Sequence, residues 1–273
     1  MQRLEVEHIF ERKKANFLRG LTPCELPVAV ILGGQPASGK SKLTRRAQEN
    51  HPDVDFLIVN GDLFREYHPQ YKTLIEEPLT FSEKTQIFSN VFTERLIQEA
   101  IKNRFNIIVE GTMRNPKVPL STAKIFRDAG FRVEAYVIAA PALFSEIGCF
   151  NRYQKEVAAI GVGRLADINS HNEAVKGLPC SVDALFSHQA VDKIVIYSFG
   201  ARENIRNYNF NGKWDSDLSP TDFIEQAREN QLNDKNLRAE IIRMGEQTLN
   251  NIAEEFKNTV SQTLEKLKGW LKI

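Results

Sequence analysis

The chain lacks most of the features that would assign it quickly. Neither charge is in excess: 36 Lys+Arg stand against 35 Asp+Glu, a formal net charge of +1. That excludes the global basic field with which proteins gather nucleic acid or anionic membrane, so neither is expected as a partner. Cysteine is scarce, and Cys24, Cys149 and Cys180 lie far apart in 273 residues. An odd, scattered set forms neither a disulfide framework nor a zinc pattern. No apolar run approaches the ~20 residues of a membrane span. The opening Met1-Gln2-Arg3-Leu4-Glu5-Val6-Glu7 is too charged for a secretory signal. There is no internal repeat, no low-complexity tract and no G-x-S-x-G elbow of a serine hydrolase. His68 and His171 have no second histidine or cysteine at ligand spacing, so no metal is assigned to protein ligands alone. The expectation is a reduced, cytoplasmic protein, whose 42% hydrophobic residues are enough for a substantial core.

What is present is organised around one stretch. The apolar run Val28-Ala29-Val30-Ile31-Leu32 leads into Gly33, then Gly34-Gln35-Pro36-Ala37-Ser38-Gly39-Lys40-Ser41, then a helical segment over 42–50. Gly34, Gly39, Lys40 and Ser41 fit the P-loop pattern G-x-x-x-x-G-K-[ST], with strand before and helix after. Glycines let successive N–H groups point inward at phosphate oxygens, at the positive end of a helix dipole. Lys40 is placed to reach the β- and γ-phosphates of a nucleoside triphosphate, and Ser41 to hold Mg²⁺; a GTPase, an ATPase or a kinase would all fit.

Further along, short apolar runs alternate with helical patterns. A helix is expected over about 6–18, and Pro23 and Pro27 break the chain before the first strand. Strands are expected at 56–59, 107–109, 133–139 and 193–197. Helices are expected over 82–103 with Ser82 as N-cap, over 121–129, and over about 142–160. Such alternation predicts an α/β fold with a mostly parallel sheet covered by helices on both faces. The turn-rich stretch 208–215 ends this region. Beyond it, Leu249, Ile252, Phe256, Val260, Leu264, Leu267 and Leu271 recur at helical spacing, predicting one amphipathic helix. It either packs back on the core or docks a partner. The expected division is an N-terminal helix and linker (1–26), a P-loop domain (27–215) and a helical C-terminal extension (216–273).

Ligands of a parallel sheet gather beyond the carboxyl ends of its strands. Asp62 follows the second strand, where a carboxylate can accept the proton of a hydroxyl near the γ-phosphate. Capping of the following helix is the competing reading of Asp62. Glu110, which ends the third strand, orients Mg²⁺-bound water or binds a substrate hydroxyl. Arg152, and Arg164 in Gly161-Val162-Gly163-Arg164, suit a lid that offsets charge during phosphoryl transfer, or simply lie on an exposed helix and loop.

In this order the segments resemble the zeta toxin family, the P-loop kinases of toxin–antitoxin systems. Gly34 to Ser41 resembles the family's phosphate loop, including Gln35-Pro36. Asn60-Gly61-Asp62-Leu63-Phe64-Arg65-Glu66-Tyr67-His68-Pro69 resembles its G-D-x-[FL]-R-x-x-H-P signature, and Val109-Glu110-Gly111-Thr112-Met113-Arg114 its E-G-T-x-R segment. Arg152-Tyr153 and Arg164 resemble its two phosphate-binding arginines, with Arg164 one residue nearer Arg152 than in the usual form, and His171 lies at the matching distance beyond. The N-terminal helix and the segment beyond Thr221 have no counterpart in this resemblance. The resemblance implies phosphorylation of UDP-N-acetylglucosamine with ATP and Mg²⁺. Asp62 is then the base, Lys40, Arg152 and Arg164 serve the phosphates, and Glu110, Thr112, Arg114 and Thr122 bind the sugar nucleotide. It also implies a helical antitoxin partner, a role the C-terminal helices could replace in cis. Another small-molecule P-loop kinase, such as an antibiotic phosphotransferase, and a nucleotide-dependent switch protein are the alternatives.

Overall fold

The computed structural model describes residues 2–270. In chain order, α1 is Arg3–Leu18, β1 Val28–Gly33, α2 Lys40–Glu49 and β2 Leu57–Asn60. The short helices α3 (Gly61–Phe64), α4 (Tyr71–Leu74) and α5 (Phe81–Lys84) lead to α6 (Gln86–Asn103). Next come β3 (Ile107–Glu110), α7 (Lys117–Asp128), β4 (Arg132–Ile138), α8 (Ala142–Ile160) and α9 (Ile168–Ser187). The chain ends with β5 (Lys193–Tyr197), β6 (Asn204–Asn209), α10 (Pro220–Asn233), α11 (Lys235–Asn251) and α12 (Glu254–Lys268). The six strands make one sheet in the order β2-β3-β1-β4-β5-β6, parallel except for β6. β1 therefore lies inside the sheet, with the phosphate loop at its carboxyl end.

Strand side chains alternate between faces, and here both faces are apolar. Ala29, Ile31, Val133, Ala135, Val137, Ile194 and Ile196 meet α1, α6, α7, α9 and α10 on one side. Val30, Leu32, Ile108, Tyr136, Ile138 and Val195 meet α2, α8, α11 and α12 on the other. The expected α/β architecture is the observed one. Among the described residues no helix is long and apolar enough to cross a membrane.

Several expected boundaries are corrected. The helix expected over 82–103 is two, because Thr85 is buried at the junction and donates to Phe81 O; Ser82 is not its N-cap. The helix expected over 121–129 begins a turn earlier, at Lys117, where Asn115 Oδ1 accepts the Lys117 N–H. β6 has no counterpart among the expected strands: its polar Asn-Ile-Arg-Asn-Tyr-Asn, which meets the turn-rich stretch only at Tyr208 and Asn209, forms the antiparallel edge of the sheet. The single C-terminal helix is broken at Ile252, which is extended, and α12 restarts with Glu254 and Glu255 in its first turn, where acidic groups suit the helix dipole. Leu271, the last position in that apolar series, lies outside the described residues. α11 and α12 pack back on the core: Phe256, Val260, Leu264 and Leu267 join the second face, and Gly245 of α11 lies so near Leu264 that a Cβ would come within 2.5 Å of it.

One aromatic cluster carries the segment after β2. Phe92 of α6 is fully buried, and the rings of Phe10, Phe64, Tyr67 and Phe88 all lie within 6.1 Å of it. Phe64 and Tyr67 belong to the turn that also bears Asp62. Phe92→Ala removes their shared support and is expected to cost about 3–5 kcal/mol, read as a lower urea midpoint with unchanged slope. A midpoint unchanged by the substitution would contradict the packing described.

On the other face, Glu134 of β4 is a buried carboxylate. Burial by itself pushes its pKa up, but His51 at 3.1 Å and Arg132 at 2.8 Å reverse this and hold it at about 2, against an ordinary 4.5. A folded-state pKa depressed in this way stabilises above the unfolded value and is lost as pH falls through the folded one. Wild type should therefore exceed Glu134→Gln in stability above about pH 4.5, with the gap closing toward pH 2. A gap that stays constant over that range in thermal melts would refute it.

Candidate active site

The phosphate loop is fixed by its backbone and by one buried side chain. Gly39 has φ 114°, and a Cβ there would lie 2.6 Å from Gly200 Cα, so only glycine fits. Gln35 is fully buried; its Nε2 donates to Ala140 O at 2.8 Å and to Ser145 Oγ at 3.1 Å. Ser145 Oγ lies 2.9 Å from His171 Nε2, and His171 Nδ1 lies 3.2 Å from Asn172 Oδ1. The Ser145 hydroxyl also has carbonyl acceptors at Pro141 O (3.2 Å) and Ala142 O (3.0 Å), so Gln35, Ser145 and His171 form one buried polar cluster behind the loop. Burial pushes the His171 pKa down, which keeps that ring neutral. His171 is thus a support of the loop rather than a ligand.

Lys40 opens α2 and folds over the loop, donating from Nζ to Gly34 O at 2.8 Å and Gln35 O at 3.1 Å. Burial pushes its pKa down, while Asp62 and then Glu110 pull it back toward the charged form. Ser41 follows at the cleft wall. Among the described residues no three His, Cys, Asp or Glu side chains gather as a metal cage.

Asp62 does not cap the next helix. Asn60 is the N-cap of α3, and its Oδ1 accepts the Asp62 N–H at 3.0 Å. The Asp62 side chain instead stands 61% exposed in the cleft, with Arg65 Nε 3.1 Å from its Oδ1. Its surroundings desolvate the carboxyl and push its pKa up, but Arg65 first, then Lys40 and Arg152, hold it below the ordinary value. Arg65 is itself buried and locked: it also donates to Ser82 O (2.6 Å), Thr85 Oγ1 (3.0 Å) and Gln86 Oε1 (3.1 Å). Its part in the site was missed from the sequence. Gly61 has its own reason, since a Cβ there would meet Ser89 Oγ at 2.2 Å.

Glu110 ends β3, beside Leu32 of β1. Thr44 Oγ1 donates to its Oε1 at 2.8 Å and Asn60 Nδ2 to its Oε2 at 3.0 Å. Burial pushes its pKa up, against those two hydrogen bonds and Lys40. With both oxygens held, Glu110 is a fixed acceptor beside the phosphate loop.

Lys40, Ser41, Asp62, Glu110, Thr112, Arg114, Arg152 and Arg164 all line one cleft of about 730 Å³. Pro36, Ala37 and Gly39 join them from the loop, while Gly34, Gln35 and Ser38 lie behind it. Arg152, on α8, has a buried Nε with no protein partner among the described residues, an arrangement that suits an oxyanion. Arg164 is anchored twice by Glu156, through its backbone N–H at 2.7 Å and Nη2 at 3.3 Å. Its one-residue displacement in sequence does not remove it from the cleft. Arg114 is tied to Ser170 at 3.3 Å. Thr122 is the exception: it does not line the cleft, and its hydroxyl donates to Val118 O of its own helix. The C-terminal helices do not plug the cleft; Glu240, Ile241 and Met244 of α11 form part of its wall.

The chain has relatives among known proteins. "Toxin zeta" of Enterococcus hirae is 27% identical, over 95% of this chain and 92% of its own length. "Toxin PezT" of Streptococcus pneumoniae serotype 4 is 26% identical, over 92% of this chain and 96% of its own. Both alignments extend beyond the region the family model matches, so the termini expected to lack counterparts are largely shared. A solved structure from the PezAT chromosomal toxin–antitoxin system of S. pneumoniae superposes with a TM-score of 0.75, at 24% identity, covering 92% of this chain and 97% of its own; that likeness is one of fold. The model of the family described as Zeta toxin matches residues 13–217, and the chain belongs to the zeta toxin family.

Proposed function

We propose that this protein transfers the γ-phosphoryl group of ATP to a sugar hydroxyl of UDP-N-acetylglucosamine, as the toxin of a toxin–antitoxin pair. The observation that carries the kinase reading is Asp62, an ionised carboxylate held by Arg65 in the same cleft as Lys40 and Arg152. A carboxylate so placed can take the proton of an attacking hydroxyl, and the resemblance of its motif to that of the family favours an alcohol over water as the acceptor. The sugar nucleotide comes from the resemblance of the motifs around Asp62 and Glu110 to those of the family. The antitoxin partner comes from the names of the relatives and of the PezAT structure.

In this reading the loop N–H groups and Lys40 hold the triphosphate. Lys40 leaves its carbonyl partners for phosphate oxygens, whose negative charge favours the ammonium form that burial opposes. The Ser41 hydroxyl would hold Mg²⁺, a cation that keeps most of its water and phosphate ligands and so suits a cleft where, among the described residues, no cage of His, Cys, Asp or Glu is built. When bound, that ion neutralises charge on the phosphates. Glu110 would accept a hydrogen bond from water held beside the phosphate loop. Arg152 and Arg164 offset charge on the moving phosphoryl group, and Thr112 and Arg114 line the acceptor side. Thr122 is left out of the binding set. Asp62 orients the hydroxyl and takes its proton as the hydroxyl oxygen bonds to the γ-phosphorus. The bond from that phosphorus to the bridging oxygen breaks, releasing ADP.

Asp62→Asn should lower kcat for UDP-N-acetylglucosamine phosphorylation by about 10³ or more while ATP affinity changes little. Equal turnover by the two proteins in a labelled-ATP assay would remove Asp62 from the mechanism. The pH profile gives a second check. Because Arg65 holds the Asp62 pKa down, Arg65→Gln should raise it, and the acid limb of kcat/KM should move to higher pH. An acid limb that does not move would show that Arg65 acts on stability alone.

A further inference from the structure

The acceptor side of the cleft turns on a residue that does not itself line it. Met113 lies between Thr112 and Arg114, which both face the cleft. Its φ is 53°, in the left-handed region that residues other than glycine rarely adopt, and its side chain is buried. The thioether sits against the end of β1, where a Cβ on Gly33 would come within 2.5 Å of Sδ. A backbone in this conformation persists only where its surroundings over-determine it. Here the surroundings include one stripe of α9.

Ser170, Glu173, Gly177 and Ser181 recur at three- and four-residue steps and so share one face of that helix. Ser181 is fully buried and donates its hydroxyl to Met113 O at 2.6 Å. Gly177 packs against the next peptide, and a Cβ there would run into Arg114 O, so only glycine fits. Toward the start of the helix, the Arg114 guanidinium lies 3.3 Å from Ser170 Oγ and 3.5 Å from Glu173 Oε2. The stripe thus holds the carbonyl of 113, the peptide of 114 and the side chain of 114 in turn. α9 also supports the phosphate loop, through His171 and Ser145, but that contact is about 15 Å along the axis from Ser181.

We propose that Ser181 and Gly177 are positioning residues for the acceptor of phosphoryl transfer: they hold Met113 in the left-handed conformation and so fix the path by which Thr112 and Arg114 enter the cleft. The proposal rests on the kinase reading and deepens it. Without the Ser181 hydroxyl, the buried Met113 carbonyl loses the donor that opposes its return to an extended path. Thr112 and Arg114 then keep their chemistry and lose their common register. The phosphate loop keeps its own ties to Ala140, Ser145 and Gly200, so acceptor binding and ATP binding separate.

The test compares steady-state kinetics with UDP-N-acetylglucosamine and calorimetric binding of ATP–Mg²⁺, both on the full chain. Ser181→Ala should raise KM for the sugar nucleotide about tenfold and leave the ATP Kd unchanged. Ser181→Cys keeps a weak donor of similar shape and should recover part of the loss. Gly177→Ala is the second variant. In a helix interior that change ordinarily favours the helix, so a raised KM there comes from displacing Arg114 and not from a weaker helix. Ser219→Ala is the control: it removes a 2.6 Å hydrogen bond to Asp183 of the same helix without touching 113, and should leave KM where it was. Three outcomes overturn the proposal while the kinase reading stands: a lower Tm with unchanged KM in Ser181→Ala and Gly177→Ala, a loss of ATP affinity that matches the rise in KM, or an equal rise in Ser219→Ala. A wild-type chain that binds ATP and leaves UDP-N-acetylglucosamine unmodified would contradict the acceptor reading itself, and this proposal with it.

Discussion

Everything in the site depends on holding the phosphate loop against the ends of β4 and β5. Gly39 has to pass within contact of Gly200, and no side chain fits between the two backbones. Gln35 has to bury its amide between Ala140 and Ser145, where a neutral His171 packs within hydrogen-bond reach of the Ser145 hydroxyl. These are non-local constraints, made by residues far away along the chain, and they set where the N–H groups of the loop point. A buried polar chain of this kind is stable only when all its donors are matched. One loop is thereby fixed against three elements before any ligand arrives.

The parallel sheet then divides the labour around that loop. On one side, β2 and β3 present Asp62 and Glu110, each held by neighbours and each in the field of Lys40. On the other side, β5 and α11 present an apolar and guanidinium surface. Above the loop, α8 and the turn after it bring Arg152 and Arg164. The carboxylates differ in setting: Asp62 is kept ionised by Arg65, whereas Glu110 is pushed toward its neutral form by burial. In the proposed kinase reading, that contrast suits Asp62 as proton acceptor and Glu110 as a positioning group beside the loop.

Much of this was legible in the sequence, for physical reasons. A buried parallel strand is a continuous apolar run, and a phosphate loop needs its glycines at fixed places, so β1, β3, β4, β5 and the loop all announced themselves. What failed to show depends on partners distant in sequence. β6 reads as a loop because an edge strand tolerates Asn and Arg where an interior strand does not. The break at Ile252 is invisible to periodicity, since the apolar positions of α11 and α12 continue in phase across it. Thr122 sits at a family spacing, yet its helix turns its hydroxyl back on Val118. Arg65 was part of a recognised motif, but its role could not be read there, because the groups that lock it, Ser82, Thr85 and Gln86, lie 17 to 21 residues further on.

The most direct measurement is a phosphorus NMR spectrum of UDP-N-acetylglucosamine incubated with ATP, Mg²⁺ and the purified protein. A kinase of the proposed kind gives one new phosphomonoester resonance that grows in step with ADP, with the UDP diphosphate signals retained. ATP consumed only to inorganic phosphate, or a spectrum without a new monoester, would contradict transfer to this acceptor.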